Sequence, residues 1–176
     1  SSEFIKQDDN ADELIDLKKQ VEELDANKLS LLIVEDDKAF AMAVGAAAKR
    51  LNMQAVCVAS GELAMALLDS FTPDAVLLDI KLPNLSGMAI LESLKSNVKT
   101  RHIPVHMISG MDYQNNALRL GAMGYLTKPM TIDKVSAALE RVKRIITTPH
   151  RRLLLIEDNA GQQQAISALL GSKPTE

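Results

Sequence analysis

Asp74-Ala-Val-Leu-Leu-Asp79-Ile-Lys-Leu-Pro83-Asn84-Leu-Ser-Gly87 decides the fold. Its first half is an unbroken apolar run that ends abruptly in a carboxylate, and Pro83, Asn84 and Gly87 then stop the strand from continuing. A short apolar run without alternation suits a strand covered on both faces, as in a parallel sheet. A carboxylate at the carboxyl end of such a strand stands where open α/β sheets carry their chemistry. Asp79 is therefore the first candidate for a reactive residue.

Four similar runs flank this one. Leu31-Leu-Ile-Val34 reads as the first strand and is followed by Glu35-Asp-Asp37; residues 55–59 form the second. Residues 103–108 form the fourth strand, with Pro104 tolerable only near its beginning or edge, and Gly124-Tyr-Leu-Thr127 the fifth. Helical spacing fills the gaps. Lys38 to Leu51 carries Phe40, Val44, Ala47, Ala48 and Leu51 on one face. Ser60 caps a helix with Leu63, Leu67 and Leu68, and Gly87 to Lys95 forms another. Asp112 to Leu120 is weak because Gln114-Asn-Asn116 is poor helix material. Thr131 to Ile146 is the clearest, with Ile132, Val135, Leu139, Val142 and Ile146 directed inward. Five strands alternating with five helices imply an α/β, doubly wound parallel sheet of five strands.

Composition bounds the rest. The chain has 176 residues, 47% of them hydrophobic, and a net charge of −3, which gives no global attraction to nucleic acid or anionic membrane. No stretch approaches the roughly 20 apolar residues of a membrane span, and the N-terminus lacks a signal-peptide pattern. The lone Cys57 sits in an apolar run and reads as a small buried hydrophobe in a reducing, cytoplasmic setting. Residues 1–29 differ from the remainder of the chain, with nine Asp or Glu against four Lys. Leu14, Leu17, Val21 and Leu24 fall at 3-4-3 spacing over about two heptads. Two readings stand: a solvated N-terminal linker helix, or a coiled-coil end that forms a homodimer through residues 10–25. The expected division is thus 1–29 linker, 30–147 main domain and 148–176 a further segment.

The strand ends bring Glu35 and Asp36, Asp79, Ser109 and Lys128 toward one small site. Two unit charges about 4 Å apart interact by about 4 kcal/mol at an effective dielectric of about 20, so clustered carboxylates call for a cation. Oxygen ligands with open positions for water suit Mg²⁺. Asp36 and Asp79 are the expected carboxylate ligands, with the backbone carbonyl of Lys81 completing the protein share and Glu35 helping through water. A bound Mg²⁺ and the Lys128 ammonium would offset the charge of a phosphoryl group arriving on Asp79, with Ser109 donating to a phosphoryl oxygen. A cis bond at Lys128-Pro129 is worth seeking, since X-Pro lowers the cis penalty to about 1 kcal/mol.

Leu31-Leu-Ile-Val-Glu-Asp-Asp37, Leu77-Leu-Asp-Ile-Lys-Leu-Pro-Asn-Leu-Ser-Gly87, Ile108-Ser-Gly110 and Gly121-Ala-Met-Gly-Tyr-Leu-Thr-Lys-Pro129 together resemble the receiver domain of two-component response regulators. The resemblance implies a flavodoxin-like, CheY-like strand order of 2-1-3-4-5. It also implies that a histidine kinase or histidine phosphotransfer domain is the partner and donates from a phosphohistidine to Asp79 with Mg²⁺. Ser109 and Tyr125 would act as the switch, remodelling the face of the last two helices and the fifth strand. Such a module phosphorylates itself without being a turnover enzyme. Lys81 near Asp79, and Met111 where no attacking water can be oriented, suggest a long-lived aspartyl phosphate.

Arg152-Leu-Leu-Leu-Ile-Glu157-Asp158-Asn159 repeats the opening pattern about one receiver length downstream. It resembles the truncated start of a second receiver, with Glu157 and Asp158 as its acid pair, and tandem receivers behind a heptad-patterned linker resemble the end of a hybrid sensor histidine kinase. The alternative is a phosphorylation-independent docking domain of receiver type, against which the full set Asp36, Asp79, Ser109 and Lys128 argues. A phosphohydrolase is disfavoured by the absence of Asp-x-Asp after the first strand.

Overall fold

The computed structural model describes residues 2–110 and 114–148, with side chains from residue 10 onward. A long helix α1 (Ser2–Glu22) precedes β1 (Leu29–Val34), α2 (Lys38–Arg50), β2 (Met53–Val58), α3 (Gly61–Leu68) and β3 (Ala75–Asp79). Then come α4 (Gly87–Ser96), β4 (Val105–Ser109), α5 (Gln114–Arg119), β5 (Gly124–Thr127) and α6 (Ile132–Thr147). All strand pairs are parallel, in the order β2-β1-β3-β4-β5. The doubly wound sheet expected from the apolar runs is the observed architecture. Every residue of β3 and β4 is buried, which is why those runs show no alternation.

Strand alternation divides the core between two faces. Leu32, Val34, Val76, Leu78, Val105 and Met107 pack with α3, α4 and α5. Leu31, Ile33, Ala75, Leu77, Ile108 and Leu126 pack with α2 and α6. Register between the central strands is held at their start by Asp74, whose carboxylate accepts hydrogen bonds from the Ser30 amide at 2.7 Å and hydroxyl at 2.9 Å. A slip of one residue would break this clamp and turn each apolar set to the wrong face.

Helix boundaries follow local chemistry. Asp37, Ser60, Ser86 and Thr131 cap α2, α3, α4 and α6, each side chain accepting from the amide three residues on. Gly87 opens α4 because nothing larger fits: a Cβ there would lie 2.0 Å from the Asp79 carbonyl oxygen. At Gly124 the neighbour is a side chain rather than backbone: a Cβ would fall 2.4 Å from His106 Nε2.

Several sequence expectations need correction. The strand expected at 103–108 begins at Val105, after Pro104, and the second strand starts earlier, at Met53. Ile132, expected to face inward, is 37% exposed because it is the first residue of α6 and has not yet reached the sheet. Cys57 is exposed rather than buried: β2 is an edge strand, and the thiol lies against α2, donating to the Ala41 carbonyl at 3.8 Å. The apolar seam of α1 is neither solvated nor presented outward. Leu17 is 4% exposed within the α3 side of the core, with Leu14, Val21 and Leu24 packed beside it. The turn after α1 is tied to β2, where Gln54 accepts from the Asp25 amide and donates to the Asp25 carbonyl, both at 2.8 Å. Met111, His150, Arg152, Glu157 and Asp158 lie outside the described residues.

Candidate functional site

The site is the continuation of the α2–α6 face past the carboxyl ends of three strands. Ile33 in β1, Leu77 in β3 and Leu126 in β5 are buried on that face, and two residues on come Glu35, Asp79 and Lys128. Because Val34 pairs with Leu78, Glu35 and Asp79 reach the same level. Period-two alternation thus carries the core pattern directly into a charged cluster.

Carboxylate oxygens of Glu35, Asp36 and Asp79 lie within 4.8 Å of one another. Asp36 is exposed; Glu35 and Asp79 are buried. The Lys128 ammonium donates to Asp79 Oδ2 at 2.6 Å and to both Glu35 oxygens at 2.9 and 3.2 Å. Burial pushes the Glu35 carboxyl above its usual range, and the hydrogen bond from Lys128 offsets that only in part. For Lys128 burial pulls the other way, but its bonds to Asp79 and Glu35 prevail and raise it. The ammonium is therefore a fixed positive charge at any physiological pH.

Two backbone features shape the nucleophile end. The Lys81 amide donates to Asp79 Oδ1 at 3.1 Å, fixing the carboxylate plane and bringing the Lys81 backbone beside the cluster. The Lys81 side chain itself is exposed. The Lys128–Pro129 peptide is cis, with Lys128 N donating to the Ser109 carbonyl at 2.9 Å.

Ser109 and Tyr125 belong to the opposite face of the sheet, with Met107 and the α3 side of the core. Ser109 is 1% exposed, and its hydroxyl has no hydrogen-bond partner among the described residues. A buried hydroxyl left unpartnered is costly and marks a place where a ligand oxygen can be received. Tyr125 is half-buried, and its hydroxyl donates to the carbonyl of Gly110, the residue after Ser109.

Of the seven residues singled out in this part of the chain, Glu35, Asp36, Asp79 and Lys128 come together with the Lys81 backbone beside them, Ser109 lies at the end of β4 beside β3, and Tyr125 reaches the loop beyond it. Sequence reasoning missed two participants. Asp37, left out as a mere neighbour, caps α2 and donates its amide to Glu35 Oε1 at 3.2 Å. Phe40, assigned only to the core, lies with its ring centroid 5.4 Å from Lys128 Nζ.

Comparison with known proteins agrees with this geometry. The family model of the response regulator receiver domain matches residues 31–140. The chain belongs to the response regulator receiver family. Among the receiver's relatives, the sensory transduction protein RegX3 of Mycobacterium tuberculosis is 32% identical over 118 residues, covering 65% of this chain and 51% of that protein. The response regulator PleD of Caulobacter vibrioides is 27% identical over 170 residues, covering 80% of this chain and 37% of PleD. The chain thus spans about half or less of these relatives' lengths. The structure of the chemotaxis response regulator CheY4 of Vibrio cholerae shares the receiver fold with a TM-score of 0.62 at 19% identity, over 66% of this chain and 99% of that one. Receiver domains act in general as phosphoacceptors rather than turnover enzymes.

Proposed function

We propose that this receiver takes a phosphoryl group onto Asp79 from the phosphohistidine of a histidine kinase or a histidine phosphotransfer domain. The observation that carries the reading is the Lys128 ammonium held between Asp79 and Glu35, with the orphaned Ser109 hydroxyl at the end of the neighbouring strand. In the transfer an Asp79 oxygen forms the new O–P bond as the donor's N–P bond breaks. The imidazole leaves with that electron pair and gains a proton. Lys128 offsets charge on the transferred oxygens, and Ser109 donates its free hydrogen to one of them.

The donor set fits a hard divalent cation: three carboxylates facing one ammonium remain net negative, and every ligand atom is oxygen. Mg²⁺ would be held by Asp36, Asp79 and the Lys81 carbonyl, with Glu35 reached through water, and would supply positive charge to the transferring oxygens. Glu35 and Asp37 prepare the site for it. The Asp37 amide and Lys128 both donate to Glu35 and so hold its carboxylate beside Asp79 against their mutual repulsion.

Tyr125 and Ser109 are proposed as the switch. The Tyr125 hydroxyl is tied to the Gly110 carbonyl, so any movement of Ser109 toward a phosphoryl oxygen is felt one residue later by the tyrosine. Among the described residues no helix is long and apolar enough to cross a membrane. We place the module in the cytoplasm, where a kinase would meet it. The repeat at Arg152–Asn159 supports tandem receivers in a parent hybrid histidine kinase. A homodimer through residues 10–25 would have to displace the contacts of Leu17 with the α3 side of the core.

The test is the intact mass of the chain after incubation with a small phosphodonor and Mg²⁺. Wild type should gain one phosphoryl group and Asp79→Asn none. An unmodified wild type would leave a phosphorylation-independent docking module instead.

A further inference from the structure

Lys128 is committed to two jobs that conflict. In this structure its ammonium bonds both oxygens of Glu35 and one of Asp79. A divalent cation drawn to Glu35, Asp36 and Asp79 would repel that ammonium and compete with it for the same oxygens. Lys128 therefore needs a second favourable seat close by, one that is not itself a metal ligand.

Phe40 supplies such a surface. Its ring centroid is 5.4 Å from Lys128 Nζ, inside the range in which an ammonium is attracted to an aromatic face. The ring is not free to wander. Phe40 N is held by the Asp37 cap at 3.1 Å, and the side chain packs on the α2–α6 side of the core. Phe40 and Lys128 also line one cleft of about 490 Å³ with Asp37, Pro129 and Met130, so both groups border the same open space.

We propose that Phe40 is a positioning residue: its ring holds the Lys128 ammonium beside Asp79 when a cation takes over the Glu35–Asp36–Asp79 oxygens. The proposal rests on the phosphoacceptor reading only for its purpose. The contact itself is independent of any phosphoryl transfer.

The test compares wild type with Phe40→Leu, which keeps apolar bulk without the π face, and Phe40→Tyr, which keeps the ring. Two readouts precede any activity measurement: the Mg²⁺ dissociation constant of the unphosphorylated chain by calorimetry, and the NMR shift of the Lys128 ε-methylene protons. The expected result is Mg²⁺ binding weakened about threefold in Phe40→Leu and near wild type in Phe40→Tyr. The ε-methylene protons should move further upfield when Mg²⁺ is added to wild type, and should not do so in Phe40→Leu. Equal Mg²⁺ affinities in all three proteins, or ε-methylene shifts indifferent to Phe40→Leu, would overturn the proposal, as would a wild type that binds no Mg²⁺. A wild type that passes both tests yet takes up no phosphoryl group overturns the phosphoacceptor reading alone.

Discussion

His106 should make this fold sensitive to mild acid. It sits in β4, 6% exposed, on the face packed against α6, and its Nδ1 has no partner among the described residues. Burial, with a smaller contribution from the Arg141 charge, lowers its pKa from 6.5 to about 4. A histidine whose folded value lies below its unfolded value binds its proton first in the unfolded chain. Its contribution is therefore complete above pH 6.5, falls as pH drops between 6.5 and about 4, and is constant below that. At about 1.4 kcal/mol per unit, the full difference is about 3 kcal/mol. His106→Leu removes the titration while filling the site with an apolar side chain. Urea denaturation of both proteins at several pH values isolates this one group, because carboxylates elsewhere titrate alike in each. Wild type should lose about 3 kcal/mol more than the variant between pH 7 and pH 4. Parallel stability curves for the two proteins would refute the argument.

Other perturbations test separate parts of the structure. Leu17→Ala removes a core side chain and should cost about 2–4 kcal/mol in urea unfolding; a solvated linker would lose almost nothing. Gly87→Ala drives a methyl into the Asp79 carbonyl and should destabilise by about 3 kcal/mol or more, with loss of phosphoryl uptake by intact mass. Ser109→Ala deletes a hydroxyl that has no partner, so unfolding should be unchanged or slightly harder while phosphoryl uptake slows. The aspartyl phosphate should persist for longer than seconds in the isolated chain, as followed by the decay of the phosphorylated mass.

The layout was legible wherever one local rule sufficed. Apolar runs that end in a carboxylate named the central strands, and position at the strands' carboxyl ends brought Glu35, Asp79 and Lys128 together, two residues past Ile33, Leu77 and Leu126. What escaped depended on neighbours distant in sequence. The heptad spacing of α1 showed an apolar seam but not its partner, because Leu14, Leu17, Val21 and Leu24 would suit a second helix or the α3 side of the core equally well. Cys57 looked buried because its run is apolar, yet edge position follows from strand order and not from composition. The Asp74–Ser30 clamp joins residues 44 apart, and the role of Gly87 depends on a carbonyl in the preceding strand. Phe40 carried a core signal strong enough to hide its contact with Lys128.

The most direct measurement locates the acceptor atom. After incubation with a small phosphodonor and Mg²⁺, borohydride reduction of the acyl phosphate and peptide mass mapping would mark the residue that carried it. The account predicts a single reduced position, Asp79, dependent on Mg²⁺ and absent when Lys128 or Asp36 is replaced. A mark on Glu35 or Asp36, or none in a folded wild type, would contradict it.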